Sequence, residues 1–157
     1  LGKNHYYLYD NQLTQSVYKM LDISHQIKKG ILKGQFELFY QPIICSKTLL
    51  LKGLEALVRW NTPNLGIISP NEFISVAEKY GEMKSLERWI LNKAFQDLKH
   101  WVNAGDLPLF ISINLSAKGL IGDSLIPYLK SLLELHKVSP HKIEFEITET
   151  SLLENLD

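Results

Sequence analysis

The sequence predicts an α/β fold in which an antiparallel strand pair opens a series of parallel strands joined by helices. Three observations carry this. Strand-like apolar runs, rich in β-branched and aromatic residues, fall at 36–44, 49–60, 109–115 and 142–148. Three-four apolar spacing marks helices between and before them, at 12–33, 83–103 and 124–136. Only Cys45-Ser46-Lys47-Thr48 separates the first two strands, which suits a hairpin and is too short for a crossover.

Residues 1–11 are polar and aromatic, with Tyr6, Tyr7 and Tyr9, and read as a tail or the end of a preceding unit. Along 12–33, Leu13, Val17, Met20, Ile27 and Ile31 form one seam that Ser24 interrupts, and Gly30 and Gly34 mark its end. Such a helix packs on its own domain or, as a linker, pairs with a second copy. Asn61–Ser69 reads as a loop. Ser69, Pro70 and Glu72 then spell a capping box with proline at the first helical position, and Gly81 stops that helix. In the next helix Leu86, Trp89, Ile90, Ala94, Leu98, Trp101 and Val102 form the buried stripe, with Gly105 placed to cap it. Leu125, Ile126, Leu129, Leu132 and Leu133 face inward from 124–136. Ser151 onward reads as the start of another helix.

The 157 residues suffice for one ordinary core. Net charge is +0, which removes bulk attraction to a nucleic acid polymer or an anionic membrane. The single cysteine, Cys45, excludes an intrachain disulfide and a thiolate zinc cage. It fits a reducing compartment, so a cytoplasmic location is expected. No apolar run approaches the roughly 20 residues needed to span a bilayer. No signal peptide is visible in residues 1–10, which lack Met and an apolar h-region, and a chain that starts at Leu1 reads as cut from something longer. The histidines, His5, His25, His100, His136 and His141, form no HxxxH pair. Neither a P-loop nor a nucleophile elbow is present. Asn114-Leu115-Ser116 matches a glycosylation acceptor formally, but it lies within a strand.

Oxygen-bearing side chains intrude on three of the apolar runs: Glu55, Asn114 and Glu146. In a buried strand an unpaired carboxylate costs several kcal/mol. Three hard donors on three strands suggest Mg2+, Mn2+ or Ca2+ rather than zinc. Alternation puts Gly53, Glu55, Leu57 and Arg59 on one face of their strand. It likewise puts Ser112 with Asn114 and Ser116, and Glu144 with Glu146 and Thr148. That polar face meets either a barrel lumen or, in a flat sheet, water. Glu55 and Arg59 lie about 13 Å apart on a straight strand, too far to pair. Arg59 at the strand end suits a phosphate; the alternative is a solvated surface arginine.

Five motifs occur in order: Phe39-Tyr40-Gln41-Pro42-Ile43, Gly53 through Trp60 with Glu55-Ala56-Leu57 inside it, Gly66 through Pro70 with Phe73-Ile74, Ile113 through Ala117, and Glu146-Ile147-Thr148-Glu149. Together they resemble the EAL domain of bacterial cyclic di-GMP phosphodiesterases, over about residue 36 to the end. The resemblance implies a TIM-like (β/α) barrel whose first strand is antiparallel, with only the first half, about four strands, present. It implies hydrolysis of cyclic di-GMP to linear pGpG with two Mg2+ or Mn2+ ions. Matched by residue, Glu55, Asn114 and Glu146 are metal ligands, and Glu55 is also catalytic. Arg59 binds a substrate phosphate, Gln41 and Leu57 line the nucleotide site, and Glu149 steadies a neighbouring loop. Gly2-Lys3-Asn4-His5-Tyr6 with Tyr9 resembles the close of a GGDEF domain. The implied organisation is a GGDEF-like tail at 1–11, a linker helix at 12–34 and the N-terminal half of an EAL domain at 35–157.

The family continues with an Asp-Asp-Phe-Gly motif, a lysine, a glutamate and a glutamine that finish its site, and these do not occur here. A chain ending at Asp157 is therefore expected not to hydrolyse the nucleotide alone. The alternative function is a non-hydrolytic cyclic di-GMP-binding or protein-interaction module, including a homodimer through the open sheet edge. No membrane contact is expected from this segment, although the parent protein has room for a membrane tether.

Overall fold

The computed structural model describes residues 11–103, 110–116 and 124–147. The tail before Asn11, Gly105, Glu149 and the helix expected from Ser151 lie outside them. The described elements are α1 (Asn11–Leu32), β1 (Phe36–Ile44), β2 (Leu51–Thr62), β3 (Gly66–Ile68), α2 (Pro70–Tyr80), α3 (Met83–Asn103), β4 (Phe110–Leu115), α4 (Leu125–His136), a 3-10 turn (Pro140–Lys142) and β5 (Ile143–Ile147).

The strands form one sheet in the order β1-β2-β4-β5, with the short β3 on β2. β1 and β3 run antiparallel to β2, while β4 and β5 continue parallel to it. This is the predicted arrangement of an antiparallel opening pair followed by crossovers. Among the described residues four strands stand in a row, half the eight of a closed barrel, and one face of this sheet carries the exposed Gln41, Asn114 and Glu146. The other face carries Ala56, Val58, Trp60, Ile111, Ile113 and Leu115 into the core beneath the helices.

Several expectations need correction. β2 starts at Leu51 rather than Leu49. Leu49 takes a left-handed conformation with φ 57° to close the hairpin, and Cys45 N–H donates to Leu50 O at 2.9 Å. Leu49 and Leu50 are exposed, so this end of the run is not buried. Part of the predicted loop at 61–69 is strand: β2 continues to Thr62 and turns back as β3. The Thr62 hydroxyl accepts from Leu65 N–H at 2.9 Å and holds that turn. No side-chain cap forms at Ser69. The Glu72 carboxylate instead reaches Lys19 of α1 at 2.6 Å. Gly81 does close α2, with φ 78°.

The seam of α1 is also shifted. Ile23 and Ile27 are fully buried, whereas Val17 and Met20 are exposed. The second half of α1 lies on the domain, and a Lys28–Glu82 pair at 3.2 Å ties it to the α2–α3 junction. On α3, Leu91 and Phe95 join the buried stripe while Val102 is exposed. That helix is covered on more than one side, by the sheet, α1 and α4. Ile126 of α4 also faces out.

The core centres on an aromatic group. Phe36 stacks on Trp60 with centroids 4.7 Å apart, and Phe73 meets both edge-on at 5.6 Å. A second anchor fixes β1 to α3. Tyr40 donates its hydroxyl to Asp97 at 2.8 Å and meets Trp101 edge-on at 4.7 Å. Lys93 holds the other Asp97 oxygen at 2.6 Å. Burial, followed by the bond to Asp97 and its charge, pushes the Tyr40 phenol far above its usual value. A raised folded-state value means that this stabilisation is complete below about pH 10 and is lost as pH rises beyond it. Tyr40→Phe should cost about 1–2 kcal/mol near neutrality and flatten the alkaline decline. Urea titrations at neutral and alkaline pH check this; identical alkaline slopes in both proteins would refute it.

Candidate active site

The open face presents Glu55, Ser112, Asn114 and Glu146 of the polar set that alternation predicts, whereas the Ser116 hydroxyl turns to α3 and Thr148 lies outside the described residues. β2 and β4 run in parallel with Glu55 opposite Ser112, and β4 and β5 with Asn114 opposite Glu146. Neighbouring strands lie about 4.8 Å apart, so the donors sit within reach along diagonals. Asn114 Nδ2 donates to Glu55 Oε1 at 2.9 Å. Ser112 Oγ donates to Glu146 Oε1 at 2.5 Å. Asn114 therefore keeps its amide oxygen, and each carboxylate one oxygen, outside these two bonds. Asn114 and Glu146 lie toward the C-terminal ends of their strands, where barrel folds place their chemistry.

The expected burial does not hold. Glu55 is half-buried, and Asn114 and Glu146 are exposed. Leucine and valine flank Glu55 because its sequence neighbours point to the opposite, helix-covered face. The open sheet leaves its own face wet, so solvent relieves the charge.

Gln41 is exposed and lies directly opposite Glu55 across the antiparallel pair, hence on the same face. Arg59 makes no ion pair with Glu55 among the described residues. It sits over the Phe39 ring, 5.6 Å from the centroid, and donates to Val58 O at 2.9 Å. Leu57, Arg59, Asn114 and Ser116 contribute to a cleft of about 300 Å³ that α2 and α3 complete. Glu149 lies outside the described residues. The structure thus brings Glu55 and Asn114 into contact, puts Glu146 opposite Asn114, and puts Arg59 in the same cleft as Asn114.

Two contributors are not among the sequence candidates. Ser112 holds Glu146, and its place on the Asn114 face was the available signal. Glu87 of α3 is 5% exposed and accepts from both Ser116 N–H (2.9 Å) and Ser116 Oγ (2.7 Å). No local pattern announces that contact, because 29 residues separate the partners.

No three His, Cys, Asp or Glu side chains form a metal-holding group among the described residues. Two carboxylates and one amide oxygen nevertheless form a hard-donor set that suits Mg2+, Mn2+ or Ca2+. They amount to a partial shell, since Mg2+ takes six ligands.

The chain is similar to known proteins. The cyclic di-GMP phosphodiesterase NbdA of Pseudomonas aeruginosa is 32% identical over 99% of this chain, which spans 20% of that protein. The biofilm architecture maintenance protein MbaA of Vibrio cholerae is 37% identical over 95% of this chain, which spans 19% of it. A solved structure described as the PaMucR phosphodiesterase in complex with c-di-GMP superposes with a TM-score of 0.79. It is 28% identical, and the match covers 85% of this chain and 54% of that one. The chain thus spans about a fifth of those curated relatives and about half of that solved domain. The family model described as the EAL domain matches residues 24–157, and the chain belongs to the EAL domain family.

Proposed function

We propose that this chain supplies the N-terminal half of a cyclic di-GMP phosphodiesterase site. The carrying observation is the sheet register, which sets Glu55, Asn114 and Glu146 on one open face, with Asn114 bonded to Glu55. In this reading the three side chains hold divalent metal, Mg2+ or Mn2+, and Glu55 is central to catalysis. A pair of such ions, when bound, stabilises the attacking and leaving oxygens of an in-line displacement. The chain's own groups do the positioning. Asn114 fixes one Glu55 oxygen and Ser112 fixes one Glu146 oxygen. Arg59 offers a guanidinium to a substrate phosphate, with Phe39 supporting its plane. Gln41 and Leu57 border the nucleotide, and Glu149 steadies the neighbouring loop.

NbdA and the c-di-GMP-bound PaMucR structure support this substrate class. A cytoplasmic location accompanies the reading; no described helix is long and apolar enough to cross a membrane. The partial donor shell favours a chain that binds cyclic di-GMP without hydrolysing it alone. Pairing of two copies through the open sheet is the second reading, favoured by Phe39, which is 55% exposed on that face.

Calorimetry with cyclic di-GMP in Mn2+ tests the proposal, alongside chromatography for pGpG. Binding without product is expected. Arg59→Ala should weaken binding by about tenfold or more, the scale of a hydrogen bond to a charged group. Absence of any binding overturns the proposal. Release of pGpG by the isolated chain overturns the half-site form of it.

A further inference from the structure

We infer that Glu87 is a positioning residue that sets Asn114 through Ser116, an inference that rests on the reading of Asn114 as a site ligand. β4 ends at Leu115, whose register partner is Ile147 of β5. Ser116 follows, 7% exposed, and its N–H donates to the Glu87 carboxylate of α3. The same Glu87 oxygen takes the Ser116 hydroxyl. A buried N–H left without an acceptor costs about 1–3 kcal/mol, so the chain just beyond Asn114 is held wherever α3 carries Glu87. Asn114 lies two residues upstream and shares the cleft lining with Ser116. Displacement of Ser116 would draw the Asn114 amide off Glu55, to which it is bonded. Ser112 already lies inside the sheet register. Ser116 follows the last described register pair, Leu115 with Ile147, and Glu87 ties it to α3.

Glu87→Gln keeps an acceptor oxygen, Glu87→Leu removes it, and Ser116→Ala removes the hydroxyl bond to Glu87 while keeping the backbone one. NMR of the 157-residue chain reads the Asn114 side-chain amide and the Ser116 backbone amide directly. Glu87→Leu should move the Asn114 amide toward unbonded values and strip protection from Ser116. Ser116→Ala should give a smaller shift, and Glu87→Gln should resemble wild type. Mn2+ affinity should fall about tenfold for Glu87→Leu and less than about twofold for Glu87→Gln, the pattern of a group that orients a ligand. Lower thermal stability with the Asn114 amide unmoved in both Glu87→Leu and Ser116→Ala overturns the proposal. Should Glu87→Leu fail to fold, Ser116→Ala decides it. Asn114 shifts in a chain that binds no Mn2+ establish the positioning and remove the metal reading instead.

Discussion

Glu55→Ala should reduce Mn2+ affinity by at least about 100-fold, the upper end of what losing a mere supporting partner costs a metal site. The change removes one of the two carboxylates in the donor set and frees Asn114, whose Nδ2 rests on Glu55 at 2.9 Å. Two of three donors are thereby disturbed at once. Glu55→Gln separates the effects: it retains an oxygen for Asn114 but discards the negative charge. Its affinity should lie nearer the alanine variant than wild type, because the charge carries most of the attraction to a divalent cation. Neither substitution should shift folding stability by more than about 0.5 kcal/mol, since the half-buried side chain lies on the open face. Electron paramagnetic resonance of free Mn2+ gives the affinity and thermal melting gives the control. Wild-type affinity in Glu55→Ala would remove Glu55 from the metal reading.

That Glu55 and Asn114 share one face of the sheet is legible in the sequence because strand parity is strict. Once Glu55 and Asn114 sit in strands, their faces follow, and the crossover order makes the strands parallel neighbours. Their environment is less legible. An apolar run around a carboxylate looks the same whether the opposite face is buried and this one open, or both are buried. Only the number of strands closing the sheet decides that, and it is a property of tertiary assembly. Glu87 is hidden for a related reason. A glutamate on a helix between Leu86 and Arg88 gives no sign that it turns toward a strand end 29 residues away.

The fold shows the same division. Periodicity locates α3 and α4, and the Ser69-Pro70 start with the Gly81 stop locates α2, whereas several departures arise where side chains found other partners. Glu72 leaves its predicted cap for Lys19, because an approaching helix offers it an opposite charge. Leu91 and Phe95 are buried outside the predicted stripe because α3 has neighbours on several sides. In α1 the apolar seam continues toward Val17, but the domain beneath α1 buries Ile23 and Ile27 and leaves Val17 and Met20 exposed. Hydrophobic spacing specifies which side of a helix is apolar; it does not specify how far the covering surface extends.

Trp60→Ala should destabilise the chain by about 3–5 kcal/mol, the usual range for deleting a buried aromatic. Trp60 is fully buried, stacks on Phe36 at 4.7 Å and takes the edge of Phe73 at 5.6 Å. It therefore joins the β1–β2 hairpin to α2. Its indole N–H also reaches Gln35 Oε1 at 3.4 Å, beside Gly30, where an added methyl would meet the same indole nitrogen at 2.9 Å. Tight contact on each side leaves little capacity to collapse into the vacated volume, which places the cost toward the upper end. Ordinary domains are stable by only about 5–15 kcal/mol, so a loss of this size is a large fraction of the whole. The variant should accordingly be partly unfolded near 37 °C, with a sharply lower urea midpoint. Trp60→Phe, which retains a ring against Phe36 and Phe73, should recover most of the loss. A midpoint shift worth less than about 1 kcal/mol in Trp60→Ala would show that the aromatic group is not what joins hairpin to helix.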